Sequence, residues 1–177
     1  AADKPFKENV ALTAEVVAYA GGKNVLVEGE LGFIGQSSKV LDTIPKGVTE
    51  TSPDDAKIFV GKTGVDMFAP AVGNVHGMVK TGEPALNIEL IKSIREALNV
   101  PLVLHGASGN SDEEIRNAIA AGIRIIHINT ELRLAYKEGI EEGLKSGEIA
   151  PYKFLAEGVE EMKKVVRKKI RAFQWNF

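Results

Sequence analysis

The chain has 177 residues, 44% of them hydrophobic and 26% charged, with a net charge of −2; that suffices for one domain with a real core, and it leaves no electrostatic footprint for nucleic acid. It contains no cysteine, which removes disulfides, thiolate metal sites and cysteine nucleophiles and fits a cytoplasmic protein. No apolar stretch reaches the ~18 residues of a membrane span and no signal peptide is evident, so neither membrane nor nucleic acid is an expected partner. The chain opens with AADKPFKENVALTAEVVAYA, a helical pattern with Pro5 near its start and no strand before it. NVLVEGELG (24–32) reads as a strand. The irregular stretch 33–51 follows, and a loop of that length is more often functional than incidental. Ser52, Pro53 and two acids then start a helix that ends at Gly61 or Gly64.

VDMFAPAVGN (65–74) and VPLVLHGAS (100–108) are nearly continuous apolar runs, the pattern of strands covered on both faces. Between them, NIELIKSIREALN places Ile88, Ile91, Ile94 and Leu98 on one helical face. SDEEIRNAIAAG carries a capping box, Ser111 with Glu114, and stops at Gly122. IRIIHINT (123–130) is the fourth strand, and the tail from Lys153 to Phe173 is helical. Its basic run, KKVVRKKIR, reads as the solvated face of that helix. Such alternation predicts a parallel α/β architecture, either an open doubly wound sheet or a (β/α)8 barrel. A full barrel takes about 250 residues, so four strands would be half of one. In both forms chemistry gathers at the C-terminal strand ends. Glu30, Asn74 and His76, His105 and Ser108, and Asn129 and Thr130 all stand there.

Two glycine motifs do not carry nucleotide chemistry. AKIFVGKT (56–63) approaches a phosphate loop, but a helix precedes Gly61 and a strand follows, the reverse of the required order. GELGFIG (29–35) lacks the spacing of a dinucleotide turn. Of the three histidines, His76 and His105 each follow an apolar strand and precede a glycine, in NVHG and VLHG. On neighbouring strand ends the two imidazoles could meet at one ion. Catalytic zinc takes three protein ligands and an open position, so two histidines leave it one short. The small residues of GASGNSDEE let backbone amides approach an anion at a helix start, and Lys80 offers a cation to phosphate.

VEGELG…IG, AVGNVHGMVK, PLVLHGASG and INTELR resemble consecutive motifs of the class II, zinc-dependent fructose-bisphosphate aldolases, a family that includes tagatose-bisphosphate aldolases. The resemblance runs from about Lys4 to Phe173. It implies a (β/α)8 TIM barrel of which residues 1–177 form the C-terminal half, strands five to eight with flanking helices. It assigns His76 and His105 to zinc, with the third histidine on a strand this chain lacks, and Glu30 to a second metal position. Gly77, Lys80, Gly106 and Ser108 fall in loops that hold substrate phosphate and a monovalent cation, and Asn129 and Thr130 match substrate-binding residues. The implied reaction is reversible cleavage of a ketose bisphosphate such as fructose 1,6-bisphosphate to dihydroxyacetone phosphate and glyceraldehyde 3-phosphate, in glycolysis and gluconeogenesis. There zinc acts as a Lewis acid and a carboxylate moves the proton.

The chain departs from the family at two places. Ser37 and Ser38 fall near positions where many members carry glutamates, one of them the proton carrier; that role passes to Asp42, Glu50 or a residue outside this chain. His127 replaces a usual asparagine and reads either as a residue of the barrel mouth or as a neutral core histidine. The expected assembly is a fragment or split enzyme with the complementary N-terminal half, or else a homo-oligomer. The competing readings are a non-catalytic half-barrel that binds a sugar phosphate or assembles with a partner, and a different barrel enzyme acting on phosphates.

Overall fold

Four short parallel strands form the centre of the molecule, with helices packed over them. A computed structural model describes residues 1–37, 39–82 and 84–174. In chain order the elements are α1 (Phe6–Ala20), β1 (Glu28–Leu31), β2 (Val40–Leu41), α2 (Pro53–Thr63), β3 (Met67–Pro70), β4 (Met78–Val79), α3 (Ile88–Ala97), β5 (Leu102–Leu104), α4 (Asp112–Ala121), β6 (Ile123–Ile126), α5 (Thr130–Lys145) and α6 (Pro151–Phe173). The main sheet is parallel, in the order β1-β3-β5-β6. Strands follow one another around the sheet in chain order, with no reversal. A doubly wound sheet reverses at a switch point; a barrel sector does not. Of the two α/β forms, the sheet order therefore selects the barrel.

The helix ends follow the sequence signals. Ser52 caps α2 by accepting from the Asp55 amide, and Gly64 ends it in the left-handed conformation. Ser111 and Glu114 form the capping box of α4. Gly61 lies inside α2, so the GKT segment is helix rather than a phosphate loop. The core forms where α2, α3 and α4 cover the strands. Phe59, Phe68, Ile91, Ile94, Leu102, Leu104, Ile115 and Ile123 are all buried there. Phe59 stands between Phe6 and Phe68, with ring centroids 6.4 Å and 5.7 Å away.

Three features differ from the sequence expectation. Each strand is shorter than the segment the sequence predicts, because the ends of those segments peel away as loops carrying polar residues. Residues 123–130 divide, with Ile126 ending β6 and Thr130 beginning α5. The long stretch 33–51 is not wholly irregular: β2 pairs in parallel with β4, Val40 with Met78 and Leu41 with Val79, in a small ribbon apart from the main sheet. Ser38 lies outside the described residues.

α5 and α6 form an antiparallel hairpin whose approach is set by glycine. A Cβ on Gly139 would stand 2.6 Å from the Cα of Gly158, and one on Gly143 would overlap the carbonyl of Phe154. No described helix is long and apolar enough to cross a membrane.

Candidate metal and anion site

The C-terminal ends of the four sheet strands converge on one cavity of about 260 Å³. On β1, Glu28 and Glu30 are two residues apart, so the pleat points both carboxylates to one face. Buried Asn9 on α1 donates to the Glu30 carbonyl at 2.9 Å and ties that strand end to the first helix. Thr51, also buried, donates to the Leu31 carbonyl at 2.6 Å and accepts from the Ala71 amide at 2.9 Å, which clips the ends of β1 and β3 together.

His76 and His105 are held on adjoining loops. The His76 amide donates to the Ile34 carbonyl at 2.8 Å, and its Nδ1 lies 2.9 Å from the Gly35 carbonyl. A carbonyl can only accept, so Nδ1 carries the proton and Nε2 is free for a ligand. Asn74, 1% exposed, donates to the His105 carbonyl at 2.9 Å and accepts from the Val72 amide at 2.8 Å. The two loops touch at Gly106, whose φ is +58°. A Cβ there would overlap the Val75 carbonyl. Only glycine allows this approach, and it brings the two imidazoles to a centroid separation of 5.9 Å.

Around His105 the site is densely ionisable. Its Nε2 lies 2.7 Å from Glu28 and its Nδ1 3.4 Å from Glu30. Burial works to lower the His105 pKa, but the hydrogen bonds and charges of Glu30 and Glu28 outweigh it and raise the value. Burial likewise works to raise the Glu30 pKa, and His105, with a smaller contribution from His76, outweighs it and lowers the value. The ring of His127 stacks on His105 at 4.8 Å, with its Nε2 3.9 Å from Glu28. Its side chain is 51% exposed, so His127 stands at the mouth and not in the core.

Two donor groups have ligand atoms within 4.8 Å of one another: Glu30 with His76 and His105, and Glu28 with His105 and His127. Glu28 was not singled out in the sequence; its signal was the alternation with Glu30. The cavity wall also includes Ser37, Gly77, Gly106 and Ser108, together with Asn129 and Thr130 at the start of α5. Asn110, in the same loop as Ser108, has a buried Nδ2 with no partner among the described residues. Lys80 stands apart. Its Nζ bonds Asp42 at 2.7 Å on the β2–β4 ribbon, with both side chains well exposed, and it does not line the cavity. Glu50 bonds Asn87 at 3.1 Å and does not line the cavity either.

Residues 1–176 match the family model for class-II fructose-bisphosphate aldolase. The chain is 38% identical over 175 residues to the fructose-bisphosphate aldolase of Geobacillus stearothermophilus, covering 98% of this chain and 60% of that protein. Its fold is similar to the crystal structure of the YdjI aldolase from Escherichia coli K12, with a TM-score of 0.78 and 36% identity over 98% of this chain and 57% of the other. A putative fructose-1,6-biphosphate aldolase from Coccidioides immitis is similar at TM-score 0.84 and 29% identity, over 97% and 60% of the two chains. The chain thus spans about 60% of the length of these relatives.

Proposed function

Because this chain belongs to the class II fructose-bisphosphate aldolase family, we propose that it supplies the metal ligands and the anion loop for reversible aldol cleavage of a ketose bisphosphate. The observation that carries the reading is the convergence of Glu30, His76 and His105, from three successive βα units, within 4.8 Å. Two imidazoles and a carboxylate suit zinc, and they make three ligands without a third histidine. The protonated Nδ1 of His76 and the carboxylate of Glu28 beside His105 orient the two rings, as outer partners do around metal-bound histidine. When bound there, zinc supplies Lewis-acid stabilisation of the negative charge that develops on the substrate's carbonyl oxygen.

The remaining residues bind and orient. Gly106 and Ser108, with Asn129 and Thr130 at the N-terminus of α5, line the cavity with small residues beside a positive helix end, the setting that receives phosphate. Gly77 completes this wall. Lys80 can join it only by leaving Asp42. An exposed pair of this kind is worth about 0–1 kcal/mol, so the exchange costs little. On this reading residues 1–177 form one structural unit, part of a (β/α)8 barrel, and its substrate is a sugar phosphate.

The experiment is metal analysis alongside a coupled assay for triose phosphate release from fructose 1,6-bisphosphate. Purified protein should hold zinc and lose it together with activity in H76A and H105A. A protein that binds no zinc, or cleaves the ketose bisphosphate equally well without it, overturns the proposal.

A further inference from the structure

Among the described residues, Lys169 near the end of α6 is the one buried residue with a formal charge, at 7% exposure. A lysine so placed needs a carboxylate. It has Glu131, whose Oε1 lies 2.8 Å from Lys169 Nζ. The same oxygen accepts the amide of Gly109 at 2.7 Å. Beside it, the Ser108 hydroxyl accepts the amides of Asn129 and Glu131 at 3.3 Å and 3.4 Å. One carboxylate therefore joins three elements: the loop after β5, the first turn of α5, and the last helix. Lys169 does not line the cavity, whereas Ser108, Asn129 and Thr130 do.

The charge of Glu131 is the difficulty this arrangement answers. A carboxylate in the first turn of α5 favours the helix dipole. It also sets a negative charge one residue from Thr130, next to the segment assigned to phosphate, and like charges in a site of reduced dielectric repel strongly. An uncompensated Glu131 would fix the loop and weaken the anion's binding at once. A buried ammonium on the same oxygen keeps the anchor and cancels the charge.

We propose that Lys169 is a positioning residue for the phosphate loop: it acts through Glu131 to hold the Gly109 amide and to neutralise the carboxylate beside the bound anion. The inference rests on the assignment of this loop to phosphate.

The test is calorimetric titration of the zinc-loaded protein with inorganic phosphate and with dihydroxyacetone phosphate, with zinc content and unfolding midpoint measured for every variant. K169M should weaken phosphate binding about tenfold, a loss of ~1.4 kcal/mol, with zinc per chain unchanged. K169R should restore binding. The double variant K169M/E131Q should recover most of the loss, because it removes the uncompensated charge; a lysine that only docks α6 would show no such rescue. E131Q alone leaves the ammonium in place and should bind phosphate at least as tightly as the unmodified protein, which keeps the test decisive if K169M does not fold. Unaltered binding by K169M, no recovery in the double variant, or weaker binding by E131Q overturns the role of Lys169 and leaves the loop's assignment standing. An unmodified protein that binds neither phosphate overturns that assignment, and the role of Lys169 with it.

Discussion

His105 has a carboxylate at each ring nitrogen, Glu28 at one and Glu30 at the other, and this fixes how the site responds to acid. In the metal-free chain the raised His105 pKa contributes stability that is complete below the histidine's ordinary value of 6.5 and is lost as pH rises through the folded value. The lowered Glu30 pKa contributes stability that is complete above the ordinary 4.5 and is lost as pH falls through the folded value. The unfolding midpoint of metal-free protein, as far as this pair controls it, should therefore be highest between those two values and fall on either side. Zinc requires a neutral imidazole, so saturating zinc should shift the optimum to higher pH and release protons on binding; denaturation curves with and without zinc check this. E28A removes the partner of His105 without removing a ligand of the Glu30 group, and should weaken zinc binding roughly 10–100-fold, as metal competition titration would show. The meeting of His76 and His105 at one cavity was legible in the sequence, because a histidine before a glycine at a strand end is a local pattern. The contacts that Glu28 and Asn74 make with His105 were not, because they depend on which strands lie side by side.

At the level of elements, the glycines decide how closely segments approach. Gly106→Ala should separate the His76 and His105 loops and lower zinc affinity even though no ligand changes, a result that metal analysis after dialysis would reveal. Gly143→Ala should force α5 from α6 against the Phe154 carbonyl. A cost of about 1–3 kcal/mol is typical of overpacking, readable as a shift in the denaturant midpoint. α2, α3 and α4 were plain in the sequence, since caps and apolar periodicity agree. α5 was hidden by those same glycines, which lower helix propensity while serving the packing. The β2–β4 ribbon was hidden because two-residue strands carry no periodicity to detect. Lys80 offers phosphate a cation in the sequence, but the ribbon turns it toward Asp42.

Across the whole molecule, the sheet has β1 and β6 as its outer strands, each paired on one side only within the described residues. Free strand edges invite pairing. Val25 and Leu26 at the base of β1 are 59% and 69% exposed, and Ile149 and Tyr152 at the α5–α6 turn are 90% and 77% exposed. The 177-residue chain should accordingly associate, with complementary barrel strands or with a second copy, and sedimentation velocity on the purified chain should show species heavier than 19.0 kDa. A sharp monomer that unfolds cooperatively would mean that the sheet closes its own core.

The order β1-β3-β5-β6 also has a meaning in time. Each new strand pairs with the one completed just before it, so the sheet can grow in the direction of synthesis without waiting for distant sequence, and contacts between near neighbours in the chain form fastest. Glu30, His76 and His105 would then come together as the first three sheet strands emerge. Lys169 arrives only with the last helix. On the proposed reading, a nascent chain should gain the capacity to hold an ion well before the charge of Glu131 is cancelled, so that a ribosome-bound intermediate ending before α6 would retain metal and keep its Gly109 amide on Glu131 while binding phosphate only weakly.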